Sequence, residues 1–437
     1  MTKGKTDNKR PVYIVDGART PFLRARGRPG HFAAAELALQ SAQALMLRQS
    51  NIAADKFDEV ILGCVAPAAN EANIARVVSL RLGCGDRVPA WSVQRNCGSG
   101  MQAVDTAFRH VAGGYSEIVL AGGVEAMSQA PVMLNRQMVD LLSDLNQAKS
   151  LVKKLSVLSK IRPAHLKPVI SLLIGLTDPV VGLSMGRTAE ILASRFGISR
   201  QEMDAFAVRS HQRLVAAQAE GRMDEVEVVY DQNGKSYSAD DGVRPDSNVD
   251  ALARLKPVFD RPHGLVTAGN SAQVTDGAAW VLLASEEAVK QYQLEPLGRI
   301  VDCDWAGLSP AQMGLGPVYA ASTLMKNNKL KLSDINYWEI NEAFAAQVLA
   351  CVRALADKEF CRSELDRSSA IGEIDQDCLN VDGGGISLGH PVGASGARIV
   401  LHMLKTLQRT NAKRGVASLC IGGGQGGAML LENSNVQ

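Results

Sequence analysis

Paired cysteines, long apolar runs, aromatic residues and a net charge of either sign are scarce in this sequence, and each scarcity removes a class of function. Eight cysteines (Cys64, Cys84, Cys97, Cys303, Cys351, Cys361, Cys378 and Cys420) are scattered with no C-x-x-C pair. That argues against a disulfide framework or a zinc site and for a reducing compartment. No stretch reaches the ~20 apolar residues a membrane span needs. The polar N-terminus MTKGKTDNKR has no apolar segment behind it, so it predicts no secretory signal. Lys plus Arg number 47 against 45 for Asp plus Glu, a net charge of +2. No bulk attraction to nucleic acid follows, and any basic surface must be local. P-loop, H-E-x-x-H and G-x-S-x-G patterns are missing, which leaves phosphoryl transfer and the common hydrolase plans without support. The chain reads as a cytoplasmic-type enzyme or binding protein.

What is present points to a particular architecture. With 437 residues the chain is long enough for two or three domains, or for one fold built twice. Aromatics are only 5% while glycines number 40, the balance of an α/β protein whose helices pack closely on a buried sheet. Strand-like runs begin at Val12, Asp58, Glu117, Gly298, Ile335 and Gly415, with helical periodicity between them, as in Ala34–Arg48 and Met203–Ala219. That alternation predicts parallel α/β units. The two ends also resemble each other. CGSG at Cys97 opens a helix followed by strand EIVLAGG, and GHPVGASG at Gly389 opens a helix followed by VASLCIGGG. An internal duplication is expected.

Residues 131–179 differ in character. Leu134, Met138, Leu141, Leu145, Ala148, Val152, Leu155 and Leu158 recur at helical spacing, and Lys149, Lys153, Lys154 and Lys160 lie off that face. No acid occurs from Leu145 to Thr177, where Arg162 and Lys167 add further charge. Such a stretch suits an anionic membrane surface. It equally suits a surface helix packed on the body or on a partner subunit.

Four residues stand where chemistry is possible. Cys97 lies where a strand ends, glycines follow and a helix begins; helix-start N–H groups favour a thiolate and lower a cysteine pKa. By itself, a cysteine at such a turn is more often a small packed residue. His390 is the one histidine of seven in a glycine-dense turn, whereas His110, His211 and His402 sit on helical patterns. A neutral imidazole there can take a thiol proton and donate to a developing oxyanion. Cys420 ends strand VASL within CIGGGQGG. Gly422–Gly427 formally fits G-x-G-x-x-G, but the run leads into AMLLE, a strand rather than a helix, so a dinucleotide site is rejected. A cysteine beside free backbone N–H groups suits proton transfer at carbon and the holding of an enolate or carbonyl oxygen. Asn341, in NEAFA after a strand, can anchor a water or simply cap a helix.

VYIVDGARTPF, NCGSGMQA, GGVEAMS, MGRTAE, AGNSAQVTDGAA, NEAFA, GHPVGASGAR and CIGGGQGG run in this order from Val12 to Gly427, and in that order they resemble the thiolase family over nearly the whole chain. The resemblance implies a five-layered αβαβα fold of two similar halves, residues 1–128 plus 254–296 and residues 297–437, with a loop domain at 129–253. It implies Cys97 as acylated nucleophile, His390 as its activator and Cys420 as the group that moves the α-proton of an acetyl unit. Asn341, through a water and with His390, would form one oxyanion hole; the backbone N–H groups of Cys97 and Gly422 would form the other. Met185, Ser271, Ala272, Met313 and Phe344 are the expected substrate and CoA contacts. CoA would be a cosubstrate, with no tightly bound cofactor and no metal.

Two departures bear on substrate. Short-chain members usually carry histidine before the Met-Gly of the loop domain, where this chain has Ser184. Members often carry serine at Ala272, which puts that pantetheine contact in doubt. The 131–179 insertion looks like that of β-subunits of fatty-acid oxidation complexes. It implies cleavage of longer 3-ketoacyl-CoA esters, a dimer or higher oligomer, and a hydratase/dehydrogenase α-subunit as partner. The rivals are a biosynthetic acetyl-CoA acetyltransferase, which shares every site residue, and an inactive lipid-binding or scaffold protein, for which Cys97, His390 and Cys420 would have no chemical use. A ketoacyl synthase would follow a Cys–His–His plan and lack Cys420.

Overall fold

The computed structural model describes residues 10–436; the N-terminal stretch read above as no signal therefore lies, apart from Arg10, outside the described residues. In the first half come β1 (Val12–Arg19), α1 (Ala34–Arg48), β2 (Glu59–Gly63), α2 (Ile74–Leu82), β3 (Ala90–Val93), α3 (Ser99–Ala112) and β4 (Ile118–Ala126). An excursion carries α4 (Arg136–Gln147), α5 (Leu151–Leu158), α6 (Met185–Arg195) and α7 (Arg200–Ala219), after which β5 (Thr275–Ser285) returns to the sheet. The second half contributes β6 (Gly298–Gly307), α8 (Gly316–Asn327), β7 (Tyr337–Ile340), α9 (Ala345–Ala356), α10 (Ser395–Arg409), β8 (Arg414–Ile421) and β9 (Gln425–Asn433).

The strands lie in the order β7-β8-β9-β6-β1-β5-β4-β2-β3, with the short Leu23–Arg24 strand on β5. Each half runs outward from its first strand in the same way, and the halves join where β1 pairs antiparallel with β6. The sheet is mixed rather than parallel. β2 pairs parallel with β3 and β4, and β7 with β8, but β1, β5, β6 and β9 pair antiparallel. The expectation of parallel units held only where a helix crosses between paired strands. β5 and β9 reverse direction because they arrive from the excursion and from a tight glycine turn instead.

Five layers follow from which face each strand residue covers. In β5, Ala278, Trp280, Leu282 and Ala284 pack with α1 and α2, while Ala279, Val281 and Leu283 face α3 and α10. In β9, Met429 and Leu431 face that same pair of helices, and Ala428 and Leu430 face α8 and α9. The order is therefore helix, half-sheet, the α3–α10 pair, half-sheet, helix. Sheets covered on both faces read as continuous apolar runs, as TDGAAWVLLAS does.

The middle layer is tight because glycines let it be. A Cβ on Gly396 would lie 2.4 Å from the backbone nitrogen of Met101, and one on Gly100 would lie 2.7 Å from the carbonyl oxygen of Gly393. The turns before the two helices are thereby forced together.

The excursion is tied to the body by buried charge. Arg19 on β1 holds Asp240 with two hydrogen bonds and Glu225 with one at 3.2 Å. His402 on α10 lies 3.1 Å from both Glu225 and Asp382. Arg409 donates to Asp382 at 2.6 Å, and Arg222 also pairs with it. Within 131–179 the single helical run of the sequence is broken into α4 and α5. Asn135 caps α4 by accepting from Met138 N–H and donates back to the carbonyls of Ala164 and Lys167. Ser150 starts α5.

Gly396→Ala is expected to destabilise the fold by about 1–3 kcal/mol, the usual cost of overpacking, because only backbone can yield. Gly175→Ala, with nothing within 4 Å of the new carbon, should change stability by less than about 0.5 kcal/mol. Urea denaturation of both variants checks this; equal stabilities would show that α3 and α10 are not in obligatory contact.

Candidate active site

Cys97 sits on an elbow between β3 and α3. Asn96 takes a left-handed conformation (φ 45°), which asparagine tolerates better than most residues. The elbow is tied by Arg95 N–H to Ser99 Oγ at 2.8 Å and by Ser99 Oγ to the Asn96 carbonyl at 2.7 Å. Asn96 Nδ2 reaches across to the Gly422 carbonyl at 2.7 Å, joining the Cys97 turn to the β8–β9 turn of the other half. Backbone N–H groups of Gly422 and of Cys97 itself both reach the Cys97 sulfur. These donors lower the thiol pKa, yet burial outweighs them and the net shift is upward. The expectation of a thiolate set by the helix start is therefore corrected. At rest Cys97 is a thiol, because desolvation of a charged sulfur costs more than two amides return.

His390 lies on the turn before α10, buried, with its backbone N–H donating to the Gln273 carbonyl at 3.1 Å. Gly389 before it has φ 107°, and a side chain there would strike Thr275. Nδ1 is 2.6 Å from Ser395 Oγ, which is also 3.1 Å from the Pro391 carbonyl. The serine hydroxyl has one proton, which goes to the carbonyl, so Oγ accepts from Nδ1–H and Nε2 is left as the acceptor. That tautomer is assigned from the network. Burial, helped by the charge of Arg398, pushes the His390 pKa down to about 4. The imidazole is neutral at rest, as the sequence predicted.

Cys420 is buried at the end of β8 and its pKa is raised by burial, then by Cys97 and Cys351. Cys97 and Cys420 are thus within electrostatic reach of each other. Asn341 does not cap a helix: α9 begins four residues later behind Phe344. Its Nδ2 is 3.5 and 3.4 Å from the two His390 ring nitrogens, a position over the ring rather than in its plane. Its Oδ1 is buried with no hydrogen-bond partner among the described residues.

The structure gathers most of the expected contact residues. Met313, Phe344 and Met185 share one apolar cluster with Cys420, and the Met185 sulfur approaches Gly422. Ser271 pairs with Phe344 through the backbone, and Ala272 N–H donates to the Ala343 carbonyl at 2.9 Å. Ser271 Oγ is committed to the Thr267 carbonyl at 2.7 Å, so its backbone and not its hydroxyl faces the NEAF segment. Ser184 caps α6 by accepting from Arg187 N–H. Beneath the site, Glu342 accepts from Ser210 Oγ, Asn380 Nδ2 and Ile386 N–H.

Sequence reasoning missed Ser395, Asn96 and Glu342. The signal for Ser395 was its place five residues after His390 at the start of a helix, where hydroxyls commonly bond locally. Glu342 stood inside a quoted motif but needed the fold to acquire Ser210 as a partner.

Two buried histidines make stability depend on pH. His211 is also pushed down to about 4 by burial and by Arg244. Between pH 6.5 and 4 the unfolded chain binds protons at His211 and His390 that the native state refuses. Their stabilisation is complete above 6.5 and lost as pH falls, on the order of 2–3 kcal/mol each. His211→Gln is expected to lose less stability than wild type between pH 7 and 4.5. Parallel losses in urea titrations would show that His211 is not the group.

Against known proteins, the thiolase N-terminal domain family matches residues 12–287 and the thiolase C-terminal domain family residues 294–433. Bos taurus "Trifunctional enzyme subunit beta, mitochondrial" is 36% identical over 426 residues, 97% of this chain and 89% of that one. The crystal structure of human mitochondrial 3-ketoacyl-CoA thiolase in complex with CoA superposes with a TM-score of 0.83 at 36% identity, covering 97% of this chain and 98% of that one. Bacillus anthracis acetyl-CoA acetyltransferase gives a TM-score of 0.83 at 34% identity, covering 98% of this chain and 100% of that one. With both family domains matched in order and the two helix-start turns meeting between the half-sheets, the chain belongs to the thiolase family.

Proposed function

We propose that this protein is a degradative 3-ketoacyl-CoA thiolase, with Cys97, His390, Cys420 and Asn341 as its catalytic residues. The observation that carries the reading is a half-buried thiol at Cys97 with two backbone N–H groups on its sulfur and a second, buried thiol at Cys420 within its electrostatic reach, while the turn that bears the neutral His390 imidazole packs on the helix that Cys97 precedes. Nε2 of His390 takes the Cys97 proton as the sulfur attacks the 3-keto carbon. The C2–C3 bond breaks, its electron pair passes to C2, and the resulting acetyl-CoA enolate takes a proton from Cys420. A second CoA then gives its thiol proton to the Cys420 thiolate and its sulfur to the acyl carbon, and the departing Cys97 sulfur takes back the proton held by His390, releasing a shortened acyl-CoA. Splitting the reaction through an acyl-enzyme replaces one hard step by two easier ones. The unpartnered Oδ1 of Asn341 suits a water above the thioester oxygen. The N–H groups of Cys97 and Gly422 suit the second developing oxyanion, and removing one such donor typically costs ~10²–10³ in rate.

The same residues serve an acetyl-CoA acetyltransferase, so chain length decides between them. Ser184, turned into a helix cap, leaves no imidazole at that position. Turnover of a 3-ketoacyl-CoA series from acetoacetyl-CoA to 3-ketohexadecanoyl-CoA should show kcat/KM rising with length. Activity confined to acetoacetyl-CoA would make the enzyme an acetyltransferase. Cys97→Ala should abolish thiolysis while keeping the wild-type circular dichroism spectrum; normal turnover by that variant would overturn the mechanism.

The assembly belongs to the same reading. β3 ends the sheet as a half-exposed edge, the kind that pairs with another chain, which supports a dimer or higher oligomer. On α5, Leu151, Val152 and Leu155 are 79%, 78% and 65% exposed, beside Lys153, Lys154 and Lys160. An apolar face this open on a basic helix wants a cover. A hydratase/dehydrogenase α-subunit and an anionic membrane surface are the covers its chemistry suits. No helix among the described residues is long and apolar enough to cross a bilayer. All eight cysteines are free, which suits a reducing, cytoplasm-like compartment with peripheral membrane contact. Replacing Lys153, Lys154 and Lys160 by Glu should abolish co-sedimentation with phosphatidylglycerol vesicles and leave kcat unchanged. Unaltered co-sedimentation would leave the α-subunit as the cover.

A further inference from the structure

We propose that Glu125, at the end of β4, is a positioning residue that holds the His390 turn and the turn after β2 in register with Cys97. The inference rests on Cys97 and His390 acting together as described above. Glu125 is buried between the halves and touches none of the reacting atoms. Its carboxylate accepts from Val65 N–H at 2.9 Å and Ala66 N–H at 3.0 Å, both just beyond β2, and from the backbone N–H of Gly393 on the His390 turn. Cys64 Sγ lies 3.8 Å from the same group. The end of β2 in turn abuts the start of α3, where a Cβ on Gly63 would lie 2.4 Å from the Ser99 carbonyl carbon. The Gly393 carbonyl sits where a Gly123 side chain would be, at 2.0 Å. One carboxylate thus fastens both catalytic turns to one strand end.

The chemistry of these partners requires charge. Every polar group that reaches Glu125 is a donor: three amides and a thiol. A protonated acid would aim its O–H at donors, and so would the NH₂ of a glutamine, leaving at least one buried amide unsatisfied. Burial lifts Glu125 to about 7 against the pull of the three amides, so its charge changes close to neutrality. The titratable groups around it are Cys64 after β2, Cys97 before α3 and His390 on the turn of Gly393. On β5, Asp276 stands beside its register partner Gly277 and is tied to Ser128. His390, held down to about 4, stays neutral through this range. The buried thiols titrate above it. Burial also raises Asp276 and Glu342, so an acid limb near pH 7 is assigned to Glu125 by its loss in E125Q.

The test compares wild type and Glu125→Gln by the pH profile of kcat and by the rate at which iodoacetamide alkylates Cys97, read by mass spectrometry. The expected result is an acid limb near pH 7 in wild type that E125Q lacks. In E125Q both rates should fall at least ten-fold at pH 8, with KM for CoA within three-fold. A persisting limb in E125Q, or kcat within two-fold of wild type, would overturn the proposal. If E125Q does not fold, amide hydrogen exchange on the wild-type protein decides. Protection of peptides spanning Val65–Ala66 and Gly393, corrected for intrinsic rates, must weaken from pH 8 to pH 6, and unchanged protection would refute the idea. Should wild type cleave no 3-ketoacyl-CoA, the functional reading fails while alkylation and exchange still judge Glu125.

Discussion

The contact on which the site depends is the meeting of the N-terminal ends of α3 and α10 between the two half-sheets. Gly100, Gly393 and Gly396 let backbone touch backbone there, and Gly123 admits the Gly393 carbonyl against β4. Cys97 lies two residues before α3 and His390 five before α10, so the turns that bear them are brought together by main-chain packing rather than by long side chains. A methyl group at any of these glycines meets backbone atoms that cannot rotate aside. The spacing of these two turns is consequently set by the core of the protein. Pre-organisation of this kind avoids reorganisation when charge develops.

The same burial fixes the charge state. Cys97 and Cys420 are raised and His390 is lowered, each chiefly by desolvation, so the resting site is a set of neutral groups. A thiolate–imidazolium pair would need compensation, and the ring's Nδ1–H meets the neutral hydroxyl of Ser395 rather than a carboxylate. Proton transfer then accompanies attack instead of preceding it. The backbone N–H groups of Cys97 and Gly422 favour negative sulfur, but too weakly to ionise it at rest.

Much of this was legible in the sequence, for stated physical reasons. β1, α1, β4 and β8 could be placed because apolar runs bounded by glycine, or apolar residues at helical spacing, report burial directly. Cys97, His390 and Cys420 could be placed because glycine-dense turns at element ends are where backbone can approach a ligand. Strand direction was not legible: β5 reads like any buried strand, and only its arrival from the excursion makes it antiparallel to β4. The sign of the Cys97 shift was also hidden, because helix-start amides are local and visible while the desolvation opposing them comes from β8 and the opposite half. His402 looked like an ordinary helical histidine; its partners Glu225 and Asp382 lie 177 and 20 residues away.

The excursion between β4 and β5 divides into two parts with different duties. Its inner part is built into the body. Glu190 on α6 accepts from Leu265 and Val266 N–H, Ser210 on α7 supports Glu342, and Glu225 and Asp240 neutralise the buried Arg19. Cutting any of these strands a charge or an amide away from water, at a cost of about 3–5 kcal/mol for a broken buried pair. Its outer part, α4 and α5, packs chiefly on itself and leaves apolar side chains open to solvent. Changes there touch neither the glycine contact of α3 with α10 nor the carboxylates beneath the catalytic turns. The outer part of the excursion can therefore change without disturbing the packing that places Cys97 and His390.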